Sequence, residues 1–140
     1  MVSLYIHIPF CATKCNYCNF NTYTNLEGLI PDLVGALEKE LASWGNALHK
    51  PQVESIFFGG GTPSLLEPRQ LEGILKTCSL SFRIQPQAEI TVEANPDDLS
   101  RNRIFQLSHS PVNRLSIGVQ SFFEEDLKLM NRAHDSREAE

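Results

Sequence analysis

The sequence predicts an α/β fold built on a parallel sheet. Three features carry this reading: strand-like and helix-like segments alternate four times, the joining loops are short, and the strands tend towards burial on both sides. Such an order implies right-handed crossovers between neighbouring strands. An open doubly wound sheet and a barrel both satisfy it, and the spacing of elements leaves the two open.

The first strand is Leu4 to Ile8, where apolar and polar residues alternate until Pro9 stops them. A loop with three cysteines follows. Leu29, Leu33, Leu37, Leu41 and Trp44 recur at helical spacing, with Pro31 suited to a first turn and Gly45-Asn46 to an end. Val53 to Phe58 reads as the second strand and runs into Gly59-Gly-Gly-Thr-Pro63. Pro68 to Cys78 is a short helix with Leu71, Ile74 and Leu75 on one face, and Ala88 to Ala94 is the third strand. Asp97 or Asp98 is placed to cap a helix running to about His109. Val112 to Val119 is the fourth strand, and a helix from Phe123 to Ala133 comes last.

The conspicuous polar, glycine and cysteine residues lie just after the strands: Pro9 to Cys18, Gly59 to Pro63, Glu93 to Pro96, and Gln120-Ser121. Parallel α/β proteins bind ligands at the carboxyl ends of their strands, so these segments are expected to meet at one rim. Asp135 to Glu140 reads as the start of a further helix, and a four-strand parallel sheet would leave an edge exposed. The chain is therefore expected to be truncated.

The length of 140 residues suits one domain with a core, and the hydrophobic fraction of 41% is that of a folded chain. No apolar run is long enough for a membrane span. The formal charge of −5, with scattered Lys and Arg, argues against a nucleic-acid partner, which would need a basic face. Met1 to Ile6 has no basic region followed by an apolar stretch, so neither a secretory signal nor a transit peptide is expected, and a reducing, cytoplasmic location is.

Cys11-Ala-Thr-Lys-Cys15-Asn-Tyr-Cys18 has the spacing CxxxCxxC. Three thiolates in one short loop suit three corners of a 4Fe–4S cluster, which leaves one iron open to a small molecule. A structural zinc site is the competing reading, with His7 or Cys78 as the fourth ligand. A disulfide pair with a spare thiol is another. Cys78, beside Leu75 on a helix, reads as a packed core thiol, His7 as a rim or core residue, and Lys14 as a solvated lysine. Gly59-Gly60-Gly61-Thr62 lacks the lysine of a phosphate-binding P-loop and instead lets backbone approach a ligand closely. The bland alternative is a tight turn without ligand. His49, His109 and His134 form no ligand pattern, and no acid–base pair has a clear spacing.

The cysteine motif resembles the signature of the radical SAM superfamily. Tyr5-Ile-His-Ile-Pro-Phe-Cys11, Phe57-Phe-Gly-Gly-Gly-Thr-Pro63, Glu93-Ala-Asn-Pro96 and Ser116-Ile-Gly-Val-Gln-Ser121 extend the resemblance to the oxygen-independent coproporphyrinogen III oxidase-like group over nearly the whole chain. Oxidases of that group carry another cysteine two residues after the motif. This chain has Cys18-Asn-Phe20 there and is more similar to the HemW-like haem-chaperone branch.

The resemblance implies a partial (β/α) barrel, with residues 1–140 as the N-terminal part of a radical SAM domain, a cluster loop at 9–21 and a glycine-rich loop for S-adenosylmethionine (SAM) at 59–63. It implies Cys11, Cys15 and Cys18 as cluster ligands, with Tyr5, Tyr17, Gly60, Gly61, Thr62, Glu93, Gln120 and Arg132 around SAM. Phe10 and Phe20 would wall the cluster from water. The function implied is haem delivery to target enzymes, with haem as a further ligand of the full-length protein. Two alternatives stand beside it: an enzyme generating a 5′-deoxyadenosyl radical to act on a porphyrinogen, and a non-catalytic iron–sulfur or zinc module. The electron donor is not specified by any residue, and a haem-accepting enzyme is the implied partner.

Overall fold

The computed structural model describes residues 1–139. Strands β1 (Val2–Ile8), β2 (Gln52–Gly60), β3 (Arg83–Ala94) and β4 (Arg114–Ile117) form one sheet in the order β1-β2-β3-β4, with every pair parallel. Helices α1 (Ile30–Ala47), α2 (Pro68–Ser81) and α3 (Arg101–Ser108) connect successive strands, and α4 (Glu124–Leu129) follows the last. A doubly wound sheet reverses its strand order at a switch point. Here chain neighbours are sheet neighbours throughout, which is the order of a (β/α) barrel wall.

One face of the sheet supplies the core. Ile6, Ile8, Ile56, Phe58 and Val92 pack with Ile30, Val34 and Leu41 of α1 and with Leu71, Ile74 and Leu75 of α2. Burying each such side chain contributes about 1.5–3 kcal/mol. The opposite face carries Tyr5, Phe57, Thr91 and Arg114 in a single register row. One step further along, His7 pairs with Gly59 and Glu93 with Ser116. The strand period of two thus delivers Glu93 and Gly59 to the uncovered face at the carboxyl rim.

Several element bounds differ from the sequence expectation. Helix α1 runs through Gly45, whose lack of a side chain serves packing: a Cβ there would meet the Ser81 carbonyl oxygen and lie 2.7 Å from Ser81 Cβ. Gly45→Ala is therefore expected to lower stability by about 1–3 kcal/mol through overpacking. Gly35→Ala on the same helix, with nothing within 4 Å, is expected to be neutral or stabilising in urea unfolding. Helix α3 is capped by Ser100, whose hydroxyl accepts the Arg103 N–H at 3.2 Å. Asp98 instead closes a 3₁₀ turn, Pro96–Asp98, by accepting the Asn95 N–H at 3.3 Å. Strand β4 has four residues, and α4 stops early because Asn131 turns to a φ of 55°. Among the described residues no helix is long and apolar enough to cross a membrane.

Candidate functional site

The carboxyl ends of the strands surround an open cavity of about 320 Å³, at the lower end of small-ligand sites. Cys11, Cys15 and Cys18 line it from the loop after β1, and Gly60, Gly61 and Thr62 from the end of β2. Glu93 and Asn95 come from β3 and its turn, and Gly118, Gln120 and Arg132 from beyond β4. Four segments distant in sequence therefore share one space.

The cysteine loop is tied down at both ends. Cys11 N–H donates to the Tyr23 carbonyl at 2.9 Å, and Tyr23 N–H returns to the Pro9 carbonyl at 2.7 Å. Lys14 is exposed, as its sequence context suggests, and its ammonium also donates to the Thr22 carbonyl at 3.1 Å, closing the loop on itself. His7 Nε2 lies 3.2 Å from the Asn21 carbonyl, which can only accept, so Nε2 carries the proton. Nδ1 then accepts the Tyr5 hydroxyl at 3.3 Å. All four cysteines are free thiols. Cys78 is fully buried in the core, where loss of solvation pushes its thiol up to about 12, so it is no partner for the loop.

Gly61 is where the β2 end and the cysteine loop touch. Its N–H donates to the Ile8 carbonyl at 2.8 Å, and the next residue, Thr62, donates to the Phe10 carbonyl at 2.7 Å. A Cβ on Gly61 would lie 2.5 Å from Phe10 O and 3.0 Å from Cys11 Sγ. Gly60 adopts a φ of 113°, which L side chains rarely take, and donates its N–H to Glu93 Oε2 at 3.2 Å. Arg132 spans the other side. Its guanidinium donates to Cys15 Sγ at 3.2 Å, Asn95 Oδ1 at 2.7 Å and the Gly118 carbonyl at 2.6 Å, while its buried Nε has no partner. Burial raises the Tyr17 phenol above its ordinary value, against the pull of Arg132, which lies 3.4 Å from its hydroxyl.

Asp97 at the cavity edge is held above the ordinary carboxylate range, first by burial and then by the charge of Asp98. His134, fully buried, hydrogen-bonds through Nε2 to the Val119 carbonyl and turns Nδ1 towards Asp97 at 4.0 Å. A carboxyl raised in the folded state contributes stability that is present below its unfolded pKa and is lost as pH rises through the folded one. Asp97→Asn is thus expected to melt above the parent at neutral pH, with the difference closing below about pH 4. Paired thermal melts across pH 3–8 check this, and a constant difference would contradict it.

The residues expected from sequence to hold the cluster and SAM line the cavity except Tyr5, which is 61% exposed and stacks on Phe57 at a centroid distance of 6.0 Å; of the two expected walls Phe20 lines it, whereas Phe10 is buried in the core. Sequence reasoning missed Asn95, Gly118, Asn16 and Asn131. Asparagine on a loop carries no signal until its partner is known. Among the described residues no three His, Cys, Asp or Glu side chains converge on a point that could hold a single metal ion. Three free thiols set around a cavity, with a guanidinium on one of them, fit a group with several iron atoms.

A family model described as the radical SAM superfamily matches residues 5–140. The chain is 42% identical over 144 residues to the haem chaperone HemW of Buchnera aphidicola subsp. Schizaphis graminum, covering 99% of this chain and 37% of that one. It is 43% identical over 140 residues to HemW of Escherichia coli, again with 99% and 37% covered. In structure it resembles the Escherichia coli coproporphyrinogen III oxidase HemN, a radical SAM enzyme, with a TM-score of 0.88 and 33% identity over 97% of this chain and 32% of that one. The chain thus spans little more than a third of the length of the two HemW relatives.

Proposed function

The chain belongs to the radical SAM superfamily, and from that premise we propose that its rim cavity holds a 4Fe–4S cluster on Cys11, Cys15 and Cys18 and takes SAM beside it. In this reading residues 1–140 are the N-terminal part of a radical SAM domain whose task is haem delivery of the HemW kind, in the cytoplasm. The observation that carries the site is the placement of three free thiols and the Gly60–Thr62 backbone on one cavity.

The protein's own residues divide the work. Cys11, buried, and Cys15 and Cys18, half-buried, supply three thiolates. Gly60 and Gly61 offer their backbone at the cavity wall, and their missing Cβ atoms leave room for the His7 ring and for the Phe10–Cys11 segment. Glu93, at the strand end, offers carboxylate oxygens to an amine or to ribose hydroxyls. Arg132 offers a charge-assisted contact to the methionine carboxylate, Gln120 an amide that both donates and accepts, and Tyr17 a ring at the cavity wall. Thr62 is buried behind them, 3.4 Å from the Asn95 amide. Tyr5 acts from the neighbouring strand face. When bound, the cluster supplies one electron to the sulfonium of SAM.

Haem delivery is supported by the likeness to the two HemW proteins and by Phe20, which stands where the oxidases carry a further cysteine. A second reading, a porphyrinogen-decarboxylating enzyme with a haem-pathway substrate, is favoured by the structural likeness to HemN. Electron paramagnetic resonance of the anaerobically reconstituted, dithionite-reduced chain, with and without SAM, tests the shared site. A reduced-cluster signal that changes shape with SAM is expected, and a SAM-indifferent signal or no cluster would overturn the proposal. Deoxyadenosine formation coupled to loss of a tetrapyrrole carboxyl group would replace the chaperone reading with the enzymatic one.

A further inference from the structure

The end of helix α4 is built on the cysteine loop. Asn131 takes a left-handed φ of 55°, and the N–H groups of Asn131 and Arg132 turn back to the carbonyls of Lys128 at 3.1 Å and Leu127 at 3.0 Å. This is the Schellman arrangement, and it leaves the carbonyls of Leu129 and Met130 without helical partners. Both are taken by one residue of the cysteine loop. Asn16 donates its side-chain amide to Leu129 O at 3.0 Å and its backbone N–H to Met130 O at 3.1 Å. Asn131 answers from the helix side, its amide donating to the Lys14 carbonyl at 2.9 Å.

Lys14 and Asn16 flank Cys15. Both neighbours of Cys15 are thus held from another element, and its sulfur also receives Arg132 at 3.2 Å. Glycine at position 131 would suit the left-handed φ better than asparagine. The amide that asparagine adds is spent on the loop. We propose that Asn16 and Asn131 form a reciprocal clasp that positions Cys15 as a cluster ligand. As positioning residues they act through the backbone on either side of Cys15. The inference rests on the cluster reading above for its purpose, and on the hydrogen bonds for its geometry.

The test uses the full chain as parent, Asn131→Gly, Asn16→Ala, the double variant, and Asn16→Gln as the conservative replacement. Asn131→Gly keeps the helix end and removes the tie, and its better fit to the left-handed φ offsets the lost hydrogen bond, so unfolding should change little. In the metal-free chain under anaerobic conditions, alkylation of each cysteine by iodoacetamide is followed by mass spectrometry. The double variant is expected to react at Cys15 about tenfold faster, the factor for losing two net hydrogen bonds, with Cys11 and Cys18 unchanged and partial recovery in Asn16→Gln. After reconstitution, iron is expected to pass to a chelator several-fold faster from the double variant, with its reduction potential shifted. Unchanged Cys15 reactivity, or equal acceleration of all three thiols, would overturn the clasp. A parent chain that takes up no iron, yet shows selective Cys15 exposure in the variant, would overturn the cluster reading and leave the clasp standing as a loop anchor.

Discussion

Serine at Cys11, Cys15 or Cys18 is expected to remove bound iron almost completely from the reconstituted chain. Each substitution replaces a soft thiolate with a hydroxyl that neither ionises at neutral pH nor suits iron–sulfur ligation. The loop offers no spare thiol, because the remaining cysteine, Cys78, is fully buried on the core-facing side of α2. Its thiol, pushed up to about 12 by burial, stays protonated and unreactive at neutral pH. Cys78→Ala is therefore the matched control: it should keep the full iron content while lowering stability by about 1–2 kcal/mol for the atom lost from the core. Iron analysis with urea unfolding on the four variants separates the two effects. Iron retained in any of the three loop variants would remove the basis for the cluster.

Gly61→Ala is expected to have the next largest effect, on the SAM response in particular. The added Cβ would lie 2.5 Å from Phe10 O and 3.0 Å from Cys11 Sγ, and the first of these is backbone, which cannot swing aside. Relief requires the cysteine loop to part from the end of β2. That strains the bonds from Gly61 to Ile8 and from Thr62 to Phe10. The cost in stability is about 1–3 kcal/mol, as for overpacking elsewhere. The cost to SAM binding should be more than about tenfold, because the same displacement moves the cradle and Cys11 relative to each other. Titration of SAM into reduced protein, read by the change in cluster signal, measures it. Binding equal to the parent would show that Gly61 has no part in the cradle.

Much of the rim was legible from local pattern. Alternation in Leu4 to Ile8 and in Ala88 to Ala94, a glycine run after an apolar strand, and cysteines at short spacing all have causes within a few residues of themselves. The bounds of elements were less legible where the cause lies elsewhere. Gly45 reads as a helix stop, yet α1 continues through it because Ser81 passes close by. Asp97 and Asp98 read as helix caps, whereas Ser100 takes that place and Asp98 also accepts the Ser64 hydroxyl at 2.7 Å. Lys14 is exposed as its sequence suggests, but its acceptor, the Thr22 carbonyl, is identifiable only once the loop has closed.

By itself the sequence determined the alternation of strands and helices, the parallel sense of the sheet and the cysteine, glycine, glutamate and arginine residues from which a site could be made, because periodicity and residue chemistry are local properties. Tertiary structure alone decided that the sheet runs in the order of a barrel wall and that Tyr5 stands beside the cavity instead of in it. It also decided that the end of α4 grips the loop around Cys15, through residues more than a hundred positions away. Those hydrogen bonds run from asparagine amides to backbone carbonyls, and every residue carries such an acceptor. Only their arrangement in space, set by the packing of α4 against the rim, distinguishes the pair that meets from the many that do not.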